Sequence, residues 1–266
     1  MNASKWTTQR LADLKGESRI TAITAYDYTT ARLVDEAGIQ VVLVGDSLAM
    51  TMLGYEDTLP VTMAEMLMLT RAVSRGTRSA FVVADMPFMS YQVSEDTAVE
   101  NAFRFMKDGR ADAVKIEGEA MRASLVARLV ENGIPVVGHV GLLPQNVKAM
   151  GGYKVQGRED ASADTLVEDA KALEAAGASL IVIEGVPAEV GKRITDAVRI
   201  PTIGIGAGGD CDGQILVVHD LLGMYPDLKP RFVKRYAELG ESILDALKTY
   251  RKEVEDGAFP GDEHVY

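Results

Sequence analysis

Eight short runs rich in β-branched and aliphatic residues, most bounded by Gly, Pro or Asp, alternate along the chain with longer stretches of helical spacing. The runs are 20–25, 41–46, 80–85, 113–117, 135–140, 180–184, 201–205 and 215–219. Two of them, Val41-Val42-Leu43-Val44 and Leu180-Ile181-Val182-Ile183, are continuously apolar, as strands buried on both faces of a parallel sheet are. Helices are predicted over 62–75, 94–107, 119–131, 163–176 and 188–198. Thr62 stands three residues before Glu65 as a capping box, and Ser94 precedes Glu95 and Asp96 in a first turn. Gly76, Gly109, Gly133 and Gly177 fall where those helices should stop. Eight such units without a linker predict an α/β fold, a (β/α)8 TIM barrel, with an open doubly wound sheet as the alternative. Residues 1–266 then form a single domain that ends in one or two amphipathic helices over 231–252. The Gly- and Lys-containing stretch 142–161 is an insertion placed to act as a lid over the strand ends.

Charge narrows the function. With 28 Lys and Arg against 39 Asp and Glu, the chain carries a formal net charge of −11, which repels phosphate backbones and anionic lipid. Nucleic acid and membrane are therefore not expected partners. The single cysteine, Cys211, excludes an intramolecular disulfide and any site built on several thiolates, and fits a reducing cytoplasmic location. The first twenty residues hold no apolar stretch of signal-peptide length, and no run of the ~18 apolar residues a membrane span needs occurs anywhere.

In a barrel the catalytic groups gather at the C-terminal strand ends, where the following loops form a concave face. Those ends read Asp27, Asp46 with Ser47, Asp85, Lys115 with Glu117, His139, Glu184, and His219 with Asp220. Singly each is an ordinary turn or solvated residue; three or more carboxylates at one mouth repel one another, and a hard cation such as Mg2+ relieves the repulsion. Lys115 and Glu117 alternate with Val114, Ile116 and Gly118, so both face the same side of their strand. Lys115 either pairs structurally or neutralises a bound anion. His139 is either a satisfied core histidine or a donor to substrate. The run Gly204-Ile205-Gly206-Ala207-Gly208-Gly209 has the composition of a barrel phosphate site, and close backbone packing explains it equally well.

At these residues the chain resembles the ketopantoate hydroxymethyltransferase family. The resemblance runs through Thr21-Ala22-Ile23-Thr24-Ala25-Tyr26-Asp27-Tyr28, Leu43-Val44-Gly45-Asp46-Ser47, Ala84-Asp85-Met86-Pro87-Phe88-Met89, Val114-Lys115-Ile116-Glu117-Gly118, Gly138-His139-Val140-Gly141-Leu142 and Gly151-Gly152-Tyr153-Lys154-Val155-Gln156-Gly157-Arg158. It implies transfer of a hydroxymethyl group from 5,10-methylenetetrahydrofolate, a co-substrate, to 3-methyl-2-oxobutanoate, giving 2-dehydropantoate through a Mg2+-stabilised enolate. By the same resemblance Asp46, Asp85 and Glu117 surround the metal, directly or through its waters. Asp46, Ser47, Asp85, Lys115 and His139 bind the 2-oxo acid, and Glu184 is the catalytic base. A homo-oligomer, a homodecamer, is implied as well. Lys154 or Arg158 in the lid is expected to meet the acidic tail of the folate. The competing reading is a Mg2+ barrel that cleaves or rearranges oxo acids with a loop cysteine; Cys211 lacks such a motif around it.

Overall fold

The computed structural model describes residues 4–225 and 230–266. The chain divides into two compact units, Met1–Val217 and Val218–Tyr266. In the first, the strands are β1 (Ile20–Thr24), β2 (Val41–Val44), β3 (Phe81–Asp85), β4 (Ala113–Glu117), β5 (Val136–Gly141), β6 (Leu180–Glu184), β7 (Thr202–Ile205) and β8 (Gly213–Leu216). Each pairs in parallel with the next, and β8 returns to β1, so the sheet closes into the expected barrel and the open sheet is excluded.

The helices sit where their start signals put them. Helix Met63–Gly76 opens on a complete Thr62/Glu65 capping box, and Ser94 caps Glu95–Lys107 by accepting from the Thr97 amide. Gly133 and Gly177 end their helices with φ of 78° and 97°, which side chains disfavour. Gly76 has a different role. It is the last residue of its helix, and a Cβ there would lie 2.6 Å from the Tyr28 carbonyl oxygen, so its absence lets two helices touch.

The β7–β8 connection departs from the βα pattern. The seven residues 206–212 carry the chain back along the barrel with no helix. Gly206 and Gly208 take φ of 59° and 86°. A Cβ on Gly208 would lie 2.6 Å from Ala188 Cβ, and one on Gly191 would lie 2.2 Å from the Ala207 carbonyl oxygen. Gly208 is thus what lets this return loop lie against helix Ala188–Ala197. The eighth strand ends earlier than expected, at Leu216, after pairing with Ile20 to Ile23 of β1.

The barrel interior explains where chemistry is placed. Ala22, Val41, Leu43, Val83, Ala113, Val137, Val182, Ile203 and Ile215 form one buried apolar cluster, joined by Leu11 from the helix Thr8–Ala12 that precedes β1. Side chains two residues on share a strand face. Two residues past Val83, Ala113, Val137 and Val182 stand Asp85, Lys115, His139 and Glu184. An apolar layer is therefore followed, toward the C-terminal ends, by a titratable one. In the second unit, described by itself, an exposed amphipathic helix, Leu239–Glu255, and a final turn, Asp262–His264, are the main elements, so the predicted C-terminal helix begins later than 231.

Candidate active site

Strand register assembles the titratable layer. Asp85 pairs with Lys115, Glu117 with His139, and Gly141 with Glu184. Asp46 follows β2, whose partner is β3, and its amide donates to Asp85 Oδ2 at 3.0 Å. Asp46, Asp85, Lys115, Glu117 and His139 are all at most 5% exposed, whereas the side chain of Glu184 is 19% exposed and open to a reactant.

Such burial of charge demands partners. The Lys115 ammonium lies 2.8 Å from Asp85 Oδ1 and 3.5 Å from His139 Nδ1. Burial pulls its pKa down, but Asp85, Glu117 and Asp46 prevail and hold it above the ordinary lysine range. The His139 ring stands between two carboxylates, with Nδ1 3.5 Å from Glu117 Oε1 and Nε2 3.2 Å from Glu184 Oε2. Burial and the Lys115 charge oppose protonation, and Glu117 and Glu184 outweigh them, raising the imidazole to about 9. Burial, followed by repulsion from Asp85 and Glu117, pushes the Asp46 carboxyl well above the usual carboxylate range, against the pull of Lys115.

These features fit a hard cation. Three buried carboxylates, Asp46, Asp85 and Glu117, share the single ammonium of Lys115, and repulsion from Asp85 and Glu117 adds to burial in raising the Asp46 carboxyl. Oxygen donors of this kind suit Mg2+. No three His, Cys, Asp or Glu side chains among the described residues form a ready-made cage. A bound ion would accordingly draw its other ligands from substrate and water, as Mg2+ commonly does.

The expected residues do not all converge. Ser47 is there, its hydroxyl 2.8 Å from that of Tyr26. Asp27 caps helix Tyr28–Glu36, accepting from the Thr30 amide at 2.9 Å. His219 and Asp220 fall in the short helix Val218–Leu221 of the second unit, because β8 stops at Leu216. Cys211 is buried two residues before β8 begins, at the opposite end from the strand C-termini, which removes it as a loop acid or base.

The 142–161 segment is partly structured, with a turn at Pro144–Asn146 and a short helix Val147–Met150. The Leu142 amide donates to the Glu184 carbonyl at 2.8 Å and that of Gln156 to the Gly185 carbonyl at 2.9 Å, while Lys154 and Arg158 are exposed. Sequence reasoning missed Gln145 and Tyr91. The Gln145 side chain donates to Asp46 Oδ2 at 2.9 Å, and its amide donates to Glu117 Oε2 at 2.9 Å. The Tyr91 hydroxyl donates to Gln145 Oε1 at 2.7 Å. The only prior signal was that Gln145 opens an insertion next to His139.

A family model described as ketopantoate hydroxymethyltransferase matches residues 5–262. The chain is 57% identical over 252 residues to 3-methyl-2-oxobutanoate hydroxymethyltransferase of Syntrophus aciditrophicus (strain SB), covering 95% of this chain and 92% of that one. It is 56% identical over 258 residues to the enzyme of the same description from Thermotoga neapolitana, covering 97% and 95%. Among solved structures, 2,3-dimethylmalate lyase, a PEP mutase/isocitrate lyase superfamily member, superposes with a TM-score of 0.62 at 18% identity, covering 98% of this chain and 92% of that one. At that identity the likeness is one of fold alone.

Proposed function

The chain belongs to the ketopantoate hydroxymethyltransferase family and transfers a hydroxymethyl group to 3-methyl-2-oxobutanoate in pantothenate biosynthesis; on that premise we propose that the titratable layer of the barrel performs the reaction. One observation carries this reading. Four neighbouring strands, β3 to β6, bring Asp85, Lys115, Glu117, His139 and Glu184 together above a closed apolar interior, with Asp46 alongside.

Asp46, Asp85 and Glu117 are the residues that would hold Mg2+, directly or through its waters. Bound there, the ion supplies Lewis-acid stabilisation of negative charge on the oxygen of the 2-oxo acid. Lys115 offsets the substrate carboxylate, and the Ser47 hydroxyl orients it. Glu184, the one partly open carboxylate of the layer, takes the proton from C3. His139 lies between Glu184 and Glu117 and donates to the substrate oxygen. The enolate carbon then bonds to the methylene carbon of 5,10-methylenetetrahydrofolate; that carbon's two bonds to folate nitrogens break, water supplies the hydroxyl, and 2-dehydropantoate and tetrahydrofolate leave. Lys154 or Arg158, both exposed on the segment fastened to the end of β6, meets the acidic folate tail.

The enzyme works as a cytoplasmic homo-oligomer, a homodecamer in keeping with its family. Exposed apolar side chains such as Leu33, Met68 and Met121 support an assembly. No helix among the described residues is long and apolar enough to cross a membrane. The base assignment is tested by Glu184→Gln. With Mg2+ present and folate omitted, the variant should exchange the C3 hydrogen into deuterated water at least ~100-fold more slowly than wild type. Exchange at the wild-type rate would assign the base to another residue.

A further inference from the structure

We propose that Gln145 is a positioning residue that fixes which oxygen of Asp46 and which oxygen of Glu117 face the cation. The inference rests on the metal site proposed above and adds a residue that the mechanism does not otherwise use.

The orientation of the Gln145 amide follows from its neighbours. Nε2 stands 3.0 Å from the Met86 carbonyl oxygen, which only accepts, so the atom facing it must be the NH2. The same NH2 donates its second hydrogen to Asp46 Oδ2 at 2.9 Å. On the other side Oε1 accepts from the Tyr91 hydroxyl at 2.7 Å and from Gln92 Nε2 at 3.1 Å. Both hydrogens and both lone-pair directions are used, and the side chain is buried. A flipped amide would place an oxygen against two acceptors.

The backbone completes the arrangement. The Gln145 amide donates to Glu117 Oε2 at 2.9 Å, and the Tyr91 hydroxyl accepts from the Glu117 amide at 3.2 Å. One residue thereby occupies Oδ2 of Asp46 and Oε2 of Glu117. The cation and its waters are left with Asp46 Oδ1 and with Glu117 Oε1, a buried oxygen that His139 Nδ1 faces at 3.5 Å. Gln145 also lies in the Pro144–Asn146 turn that opens the 142–161 segment, so the root of that segment is tied to two acids of the site. Supporting partners of this kind hold a ligand in one rotamer, and their loss typically weakens metal binding about 10–100-fold.

The test measures Mn2+ binding by electron paramagnetic resonance on the full-length protein without substrates. Gln145→Met, of similar length and without hydrogen-bonding atoms, and Tyr91→Phe are compared with wild type and with Asp85→Asn, each checked for wild-type circular dichroism. The expected result is tenfold or greater weakening for Gln145→Met and about three- to tenfold for Tyr91→Phe. A folded Gln145→Met whose dissociation constant stays within twofold of wild type overturns the proposal. Should that variant not fold, unchanged binding by Tyr91→Phe overturns it instead. Failure of the metal reading itself looks different: wild type and Asp85→Asn would then bind Mn2+ equally weakly.

Discussion

Replacing Lys115 by Met removes the one buried ammonium from among three buried carboxylates. The ion pair to Asp85 spans 2.8 Å, and at an effective dielectric near 20 that contact is an attraction of about 6 kcal/mol. Desolvation of both ions offsets most of it while the pair is intact. The variant loses the attraction yet keeps the cost on Asp85, with Asp46 and Glu117 still repelling it, and a loss of about 3–5 kcal/mol follows. In a chain of this size each kcal/mol moves the melting temperature by ~2–4 °C, so the melting temperature should drop by on the order of 6–20 °C in chelator. Millimolar Mg2+ restores positive charge to the same acids and should raise the variant more than it raises wild type. Thermal denaturation followed by circular dichroism, with and without Mg2+, reads both effects. A loss under ~1 kcal/mol in chelator, or a gap that Mg2+ leaves unchanged, would falsify the electrostatic reasoning.

Two predictions concern the scaffold. Asp35 accepts from the amides of Arg78, Ser79 and Ala80 and from the Ser79 hydroxyl at 2.8–3.1 Å; partial burial pushes its carboxyl up, and these bonds together hold it below its ordinary value. Its stabilisation is present above the unfolded carboxylate range and is lost as pH falls through the lower folded value. Asp35→Asn should therefore cost about 1–2 kcal/mol in urea denaturation at neutral pH, with the gap closing below about pH 4; a gap independent of pH contradicts this. Gly191→Ala places a methyl 2.2 Å from the Ala207 carbonyl oxygen, where backbone must move. It should lower the urea midpoint by the equivalent of ~1–3 kcal/mol, and a neutral result would mean that the β7–β8 loop is not packed as described.

Much of this was legible in the sequence because a barrel repeats one local pattern. Continuously apolar runs mark strands buried on both faces, the period of two along a strand puts Lys115 and Glu117 on one side, and the position of each strand end follows from where apolar residues give way to charge. Reading failed where no local pattern exists. The β8 run continues through Val217 and Val218 in composition, yet pairing with β1 stops at Leu216, so His219 and Asp220 were assigned to a strand end they do not occupy. Gln145 and Tyr91 are joined to the acids only by hydrogen bonds across loops, which leave no periodic trace. The glycines at 204–209 have the composition of an anion site; that Gly208 packs a helix-free return of the chain against Ala188 becomes visible only in the folded structure.

The central claim is that this layer of side chains, loaded with a divalent ion, removes the C3 proton of a 2-oxo acid. Its most direct test is proton NMR of 3-methyl-2-oxobutanoate with the wild-type protein in deuterated water, without folate, first with Mg2+ and then with excess chelator. The account predicts loss of the C3 signal with Mg2+ and its persistence in chelator. Exchange at equal rates in both conditions, or in neither, would contradict it.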